Sequence, residues 1–484
     1  MLDVSAPVGR PTRKSPKELA TRPLEVSMKA KTDDRKAITQ QMPPCTPRTM
    51  GFLRAMLRAS VFFVLPCTAL AQAVVVGQGN PSIDVPAVQA AVDQGGSVLL
   101  VGTFDFGDTG RVVLSKDVAI SGEADSSGAP ITIVIGGDWT FFSPLPATLP
   151  PTQPGPKIRI QSIHFRQPLG PPIHLAYCGG ANIRGNKVTE IRKRPFTTFF
   201  RRAGVLIGPR DAAVTTTIFR HLVTGSIKVT DNEVDLAGPD PTITSGEGVF
   251  VNLTDGAEVY VARNTVTNCT RNCLDILDNR LDSEGRGSVV IEKNRLITGV
   301  TGIPIPTPGT PNGIVTGFNF NPALMNDPAV VAPILVSDNH VEVHGQEFSG
   351  STGIVVLAGF SHIEGNTIVI NSATGIGAGM LIRGTNGAVL RNRILGGGVN
   401  AIRFDAPAGM FTGAINTVAV GNNISGFVAS QADYLFRVGS RGNTVVGNSG
   451  TVLDLGTENR ATGQASVKGG VGDDVSDAVG PWSD

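Results

Sequence analysis

The chain has 484 residues, of which 41% are hydrophobic and only 5% aromatic, and it holds 59 glycines. That supplies apolar material for a long core, and the abundant Gly with few rings suits thin coils and tight turns better than one thick globule. The formal charge of +1 is uneven: residues 1–73 carry twelve Lys/Arg and five Asp/Glu, leaving 29 basic against 35 acidic residues in the rest, a mildly acidic body that disfavours generic nucleic-acid binding.

In chain order, residues 1–49 show no apolar periodicity and many Lys, Arg, Pro and Thr. They read as a disordered extension, or as residues ahead of a true start at Met50. Residues 50–73 have the layout of a secretory signal. Arg54 and Arg58 precede the apolar run from Val61 to Leu70, and Ala69-Leu70-Ala71 and Ala71-Gln72-Ala73 offer small-residue cleavage sites at its end. The run is too short for a membrane span, so the expected location is periplasmic, secreted or at the cell surface. A helix is expected over Asp84–Gln94, with Asp84 as its cap, Pro86 in the first turn and Gly95-Gly96 ending it. The strand Ser97–Val101 follows, and early strand-rich coils are expected at Arg111–Ser121, Ile131–Phe142 and Lys157–Phe165. The Pro-rich stretch from Ser143 to Pro156 reads as a loop leaving the stack.

From Asn182 to Asn448 one phrase recurs: an apolar residue, two variable residues, Asn, one variable residue, an apolar residue. It is centred on Asn186, Asn232, Asn264, Asn294, Asn339, Asn366, Asn392, Asn422 and Asn443, with steps of 46, 32, 30, 45, 27, 26, 30 and 21 residues. A unit of this size signals stacked supersecondary units. Short alternating β-branched runs make the units strands rather than helices. A second run in each unit usually begins with Gly, as at Gly204, Gly248, Gly313, Gly353 and Gly379. Asn is expected to take the left-handed bend between strands, and equivalent Asn side chains to hydrogen-bond from coil to coil.

These phrases resemble the repeats of right-handed parallel β-helix proteins in the pectin-lyase-like superfamily. The resemblance covers about residues 74–460 and implies an all-β solenoid of about ten coils, followed by a flexible tail over 461–484. The order around Ala87–Phe104 resembles the N-terminal helical cap of such chains. The superfamily holds lyases, hydrolases, epimerases and non-enzymes, so the resemblance implies architecture far more than activity. Motifs associated with polygalacturonases are missing from the stack: Gly472-Asp473-Asp474 lies in the tail and no Gly-His-Gly occurs, which lowers a hydrolase reading.

β-Helix enzymes act on polysaccharides lying along an outer face. In the Gly-led strand the third position should face out, giving the row Leu206, Phe250, Asp275, Val315, Val355, Leu381 and Arg403, with Asn252, Arg383 and Asp405 at the fifth. Asp275 has no acidic partner one coil away in this row, as paired-carboxylate hydrolysis would need. Asp275, Asp278 and Asp282 could line a Ca²⁺ site; the plainer reading is a solvated turn. The most uneven charge lies between Arg184 and Lys228, with ten Lys/Arg and two acids. Its candidate anion-binding residues are Arg192, Lys193, Arg194, Arg201, Arg202, Arg220 and His221, around the aromatic run Phe196–Phe200. The plainer reading is a solvated insertion loop. Beyond residue 73 three Cys remain: Cys178, Cys269 and Cys273. The odd count argues against a disulfide framework; Cys269 and Cys273 could pair across a bend, but Cys273 is expected to be a small buried or turn residue. The expected function is an exported β-helix that binds or modifies polysaccharide, with a lyase of acidic glycans as the enzymatic form. The alternative is a non-catalytic surface or adhesion scaffold.

Overall fold

The structure, a computed structural model, describes residues 72–149, 151–192, 203–209, 222–238, 246–252, 254–277, 287–299, 311–317, 327–344, 351–371, 377–405, 413–427, 432–448, 450–463 and 466–469. The expected signal segment lies outside the described residues except for its last two positions. Three parallel sheets are built by one winding chain: among the described residues sheet A has 14 strands, sheet B 11 and sheet C 13. One coil shows the cycle. Glu258–Ala262 lies in sheet A, Thr265–Cys269 in B and Asn272–Ile276 in C, and Ser288–Glu292 returns to A beside Glu258–Ala262. Each strand therefore pairs with its counterpart one coil on, and the crossover that a parallel pair needs is the rest of the coil. The chain is an all-β, right-handed parallel β-helix. Sheet A holds 14 strands where about ten coils were expected.

Alternation along the strands fills the interior. In Glu258–Ala262, Val259 and Val261 point in, while Glu258 and Tyr260 face out. The column Ile158, Ala181, Ile227, Val259, Val289 and Ile334 repeats this inward position coil after coil. Sheet C sits close against sheet B because its second column is almost bare. A Cβ on Gly248 would lie 2.2 Å from a Val266 methyl, and one on Gly313 2.2 Å from a Val341 methyl. Cys273 occupies this same column, between Leu274 and Asn272, and it is bonded to Cys269 at the end of the sheet B strand. The expectation of an unpaired Cys273 is thus corrected. The four-residue separation spans the shortest turn from B to C, and the side chain that would crowd the column is instead tied across the corner. Cys178 is a buried free thiol whose pKa burial pushes up to about 12, so it is inert as a nucleophile.

The asparagines form one ladder at the corner between sheets A and B. Asn264 donates its backbone N–H to Asn294 Oδ1 at 2.9 Å and its Nδ2 to the same oxygen at 3.0 Å, and a second Nδ2 bond of 2.8 Å goes back to the Val229 carbonyl. The same bonds recur from Asn186 through Asn232, Asn264, Asn294, Asn339, Asn366, Asn392 and Asn422. Two details differ from expectation. The ladder ends on Asn448, 26 residues beyond Asn422. Asn443 instead occupies the corner leading into sheet A, where it accepts from Thr417 and donates to Asn459. The left-handed residue is also the one before each Asn, not the Asn: φ is 58° at Asp231, 55° at Arg263, 55° at Lys293 and 54° at Asp338. The bend falls outside the core so that the amide itself can be buried.

Both ends depart from the sequence reading. The helix runs Pro81–Val92, and its cap is Asn80, which accepts from the Ser82 N–H. Asp84 lies inside the first turn, where its carboxylate accepts from the backbone N–H groups of Gln78, Asn80 and Asp105. It pins the helix to the first sheet B strand, Thr103–Asp105. At the far end the winding passes the expected boundary at 460. Arg460–Thr462 joins sheet A and Ser466–Gly469 joins sheet C. Weak strand formers are held there by pairing with the preceding coil.

The ladder makes a paired prediction. Asn294→Ala removes the acceptor for two buried Asn264 donors and should cost about 3 kcal/mol in denaturant unfolding. Lys293→Gly, one residue earlier at a left-handed position, should lie within about 1 kcal/mol of the parent or above it. Equal losses from both would show that the corner, and not the amide, carries the stability.

Candidate functional site

The outer face of sheet C places side chains where the alternation predicts. Leu206, Phe250, Asp275, Val315, Val355, Leu381 and Arg403 are direct neighbours in one column. The middle of that column is closed, however: Leu206 is 0% exposed, Phe250 4%, Asp275 2%, Val355 7% and Leu381 8%. Leu206 packs with Ala203 and Phe250, and Val355 with Leu357 and Leu381, as two apolar clusters separate from the interior. Large aliphatic side chains left facing water would be costly, so this stretch is packed surface and not an open groove. Asp275 stands between Phe250 and Val315 and accepts from Asn272 Nδ2 at 2.8 Å. No carboxylate pair forms along this column. Asp278 and Asp282, its proposed companions for Ca²⁺, lie outside the described residues. Among the described residues no group of three or more His, Cys, Asp or Glu is placed to hold a metal ion.

The charged part of the face lies further along. Arg383, Asp405 and Arg437 follow one another in the fifth position of successive coils, since the Asp405 N–H donates to the Ile382 carbonyl and the Arg437 N–H to the Phe404 carbonyl. Arg403, two residues before Asp405, projects from the same side of its strand. Three guanidiniums converge on one carboxylate. Arg383 Nε and Nη2 lie 2.6 and 2.5 Å from Asp405 Oδ2, while Arg403 Nη2 and Arg437 Nη1 lie 3.1 and 3.0 Å from Oδ1. Asp405 is 0% exposed and Arg383 6%, whereas the side chains of Arg403 and Arg437 remain 20% and 22% exposed. Burial alone would raise the Asp405 pKa, but the charges of Arg403, Arg383 and Arg437 together outweigh it and hold the carboxyl below its usual range. Three arginines and one carboxylate thus meet at a partly open surface. Asp405 stays ionised at neutral pH, which makes it a poor proton acceptor and a good brace for the arginines.

The cations singled out in the sequence fare differently. Arg192 is committed: its Nη1 pairs with Asp108 at 2.6 Å and its Nε donates to the Gln167 carbonyl at 2.7 Å. It fastens the turn after sheet B to the first coils. Lys193, Arg194, Arg201, Arg202, Arg220 and His221 lie outside the described residues. The Asp405 cluster itself was not assembled from the sequence. Its one signal was the outward Arg-x-Asp of Arg403 and Asp405, with Arg383 at the matching place one coil earlier.

Asp405→Asn leaves three guanidiniums without their shared carboxylate and should cost about 3–5 kcal/mol at neutral pH. The folded pKa is depressed, so this stabilisation is complete above the unfolded value of about 3.9 and fades as pH falls through the folded value. The substituted chain should therefore lose part of the acid sensitivity of the parent in that window. Identical unfolding curves for the two chains from neutral pH to strong acid would remove the electrostatic account.

No protein-family model matches the chain, and no curated protein matches it. Solved structures do resemble it. The A-module of the mannuronan C-5 epimerase AlgE4 of Azotobacter vinelandii aligns at 12% identity over 84% of this chain and 98% of that one, with a TM-score of 0.41. PfbA, a surface adhesin of Streptococcus pneumoniae, aligns at 12% identity over 74% and 90%, with a TM-score of 0.45. A PL6 alginate lyase in complex with a trisaccharide aligns at 9% identity over 82% and 85%, with a TM-score of 0.40.

Proposed function

We propose that the chain is an exported β-helix that binds polysaccharide, and that it takes acidic glycans by their carboxylate or sulfate groups at the Asp405 cluster. The observation that carries this reading is the partly exposed Arg403 guanidinium braced on buried Asp405. Three guanidiniums are held in place by one buried carboxylate, and the Arg403 side chain beside it stays partly exposed, open to an incoming anion. Arginine suits this task because its planar fork matches a carboxylate, and pre-placement lowers the ordering cost of binding. The Cys269–Cys273 bond supports an oxidising compartment, in keeping with the signal-like segment before residue 74. No helix among the described residues is long and apolar enough to cross a membrane.

The cluster favours holding over cutting. A lyase needs a base near the uronate ring as well as neutralisation of its carboxylate. The arginines could supply the second, but Asp405 is held ionised by three cations and supplies the first poorly.

The full chain should bind uronate polymers in preference to neutral glycans, with an affinity that falls as salt rises. Arg403→Gln should weaken that binding about tenfold or more, the scale of a lost charge-assisted contact. Following the absorbance of unsaturated uronate products in the same samples separates a lyase from a binder. Equal binding of neutral and acidic polymers, or unchanged binding by the Arg403 variant, would defeat the assignment.

A further inference from the structure

A second charged feature stands at the opposite end of the same face. Phe142 and His174 follow Val113 in the outer sheet C column, ahead of Leu206. Trp139 lies beside them, with its ring 5.0 Å from Phe142 and 4.8 Å from His174. The Arg111 guanidinium rests on this aromatic bed, 4.7 Å from the Trp139 ring centre and 5.2 Å from that of Phe142. One edge of it is fixed: Nε donates to the Asp138 carbonyl at 2.9 Å and Nη2 to Asp138 Oδ2 at 3.2 Å. Nη1 makes no such bond, and 34% of the Arg111 side chain faces solvent.

Three features mark this as a built arrangement. Trp139 is held at φ 55°, a left-handed conformation that is strained for a bulky residue. Gly170 clears the space beside it, since a Cβ there would lie 3.0 Å from Trp139 Cδ1. Burial lowers the pKa of Arg111, the mark of a cation that has lost part of its hydration and would gain from an anion at its open edge.

We propose that Arg111, backed by Trp139 and Phe142, is a second anchor for the acidic groups of a polysaccharide, at the far end of the face from the Asp405 cluster. This rests on the glycan-binding reading above and adds a second point of attachment to it. Phe142 and Arg403 are eight coil steps apart, roughly 38 Å at about 4.8 Å per step. Because the column between them is closed, one polymer is gripped at two separated places. A molecule long enough to reach both gains from the second contact without any change at the first, so binding depends on chain length.

The sequence offers a direct reporter. The chain has two tryptophans, Trp139 and Trp482, so Trp482→Phe leaves Trp139 as the sole source of tryptophan emission. In that background a saturable change of Trp139 emission is expected with a uronate polymer and with uronate disaccharide at higher concentration, and none with a neutral polymer. Arg111→Gln should weaken binding of the long polymer by about a hundredfold while leaving disaccharide binding at the Asp405 cluster within twofold. The emission test in the otherwise unaltered site stands even if the Arg111 variant misfolds. If Trp139 stays silent and polymer affinity survives Arg111→Gln while Arg403→Gln abolishes it, the second anchor is refuted and the glycan-binding reading stands. If no acidic polymer binds the parent chain by any readout, both readings fall together.

Discussion

The buried amide at the corner between sheets A and B is the constraint on which the rest of the structure depends. An Asn carries two donors and a strong acceptor, and inside a dry solenoid each must be met. Here the acceptor takes two bonds from the preceding coil, and the donors reach the following Asn and a carbonyl of the preceding coil. The demand is satisfied only when neighbouring coils are in register. A slip by one residue would turn every aliphatic of the moving strand toward solvent and strand a column of amides at the same time. Register of the outer face, and with it the spacing of any charged side chain there, follows from this internal bonding.

The outer face of sheet C then reads as a consequence of position and not of local chemistry. Asp405, Arg383 and Arg437 are brought together because they share one place in three successive coils, while Arg403 joins them from two residues away. The same geometry puts Phe142 and His174 in the column of Arg403, towards its other end. Between the two, aliphatic residues of the column are packed and closed. The polar work of the face is thereby divided into separate patches of different construction. One is an arginine set braced by a carboxylate, and the other a single arginine lying on rings.

Much of the architecture was legible because it repeats. Eight of the nine asparagines, the bare Gly column and the order of the outward row could all be read from spacing, since a fault in one coil is corrected by its neighbours. What repetition hides is what happens once. Asn443 and Asn448 both sit near apolar residues, and only the bonds to Asn422 decide which continues the ladder. Cys273 replaces a Gly in its column, and its bond to Cys269 breaks the pattern that made the column recognisable. Asn80 stands before a proline and outcompetes Asp84 as cap because Asp84 is drawn to three backbone donors, one of them 21 residues on. The Asp405 cluster depends on residues from three coils, and local reading treated its members as scattered charges.

The coil closed by Asn186 and Asn232 is 46 residues long, and the one closed by Asn366 and Asn392 is 26. Yet the amide contact is 3.1 Å in the first and 2.9 Å in the second. The interior does not register how much chain is spent between its strands. Such a scaffold can acquire a long excursion in one generation and discard it in another while its skeleton stays put. Novelty accumulates on its flanks, and inheritance is kept on its axis.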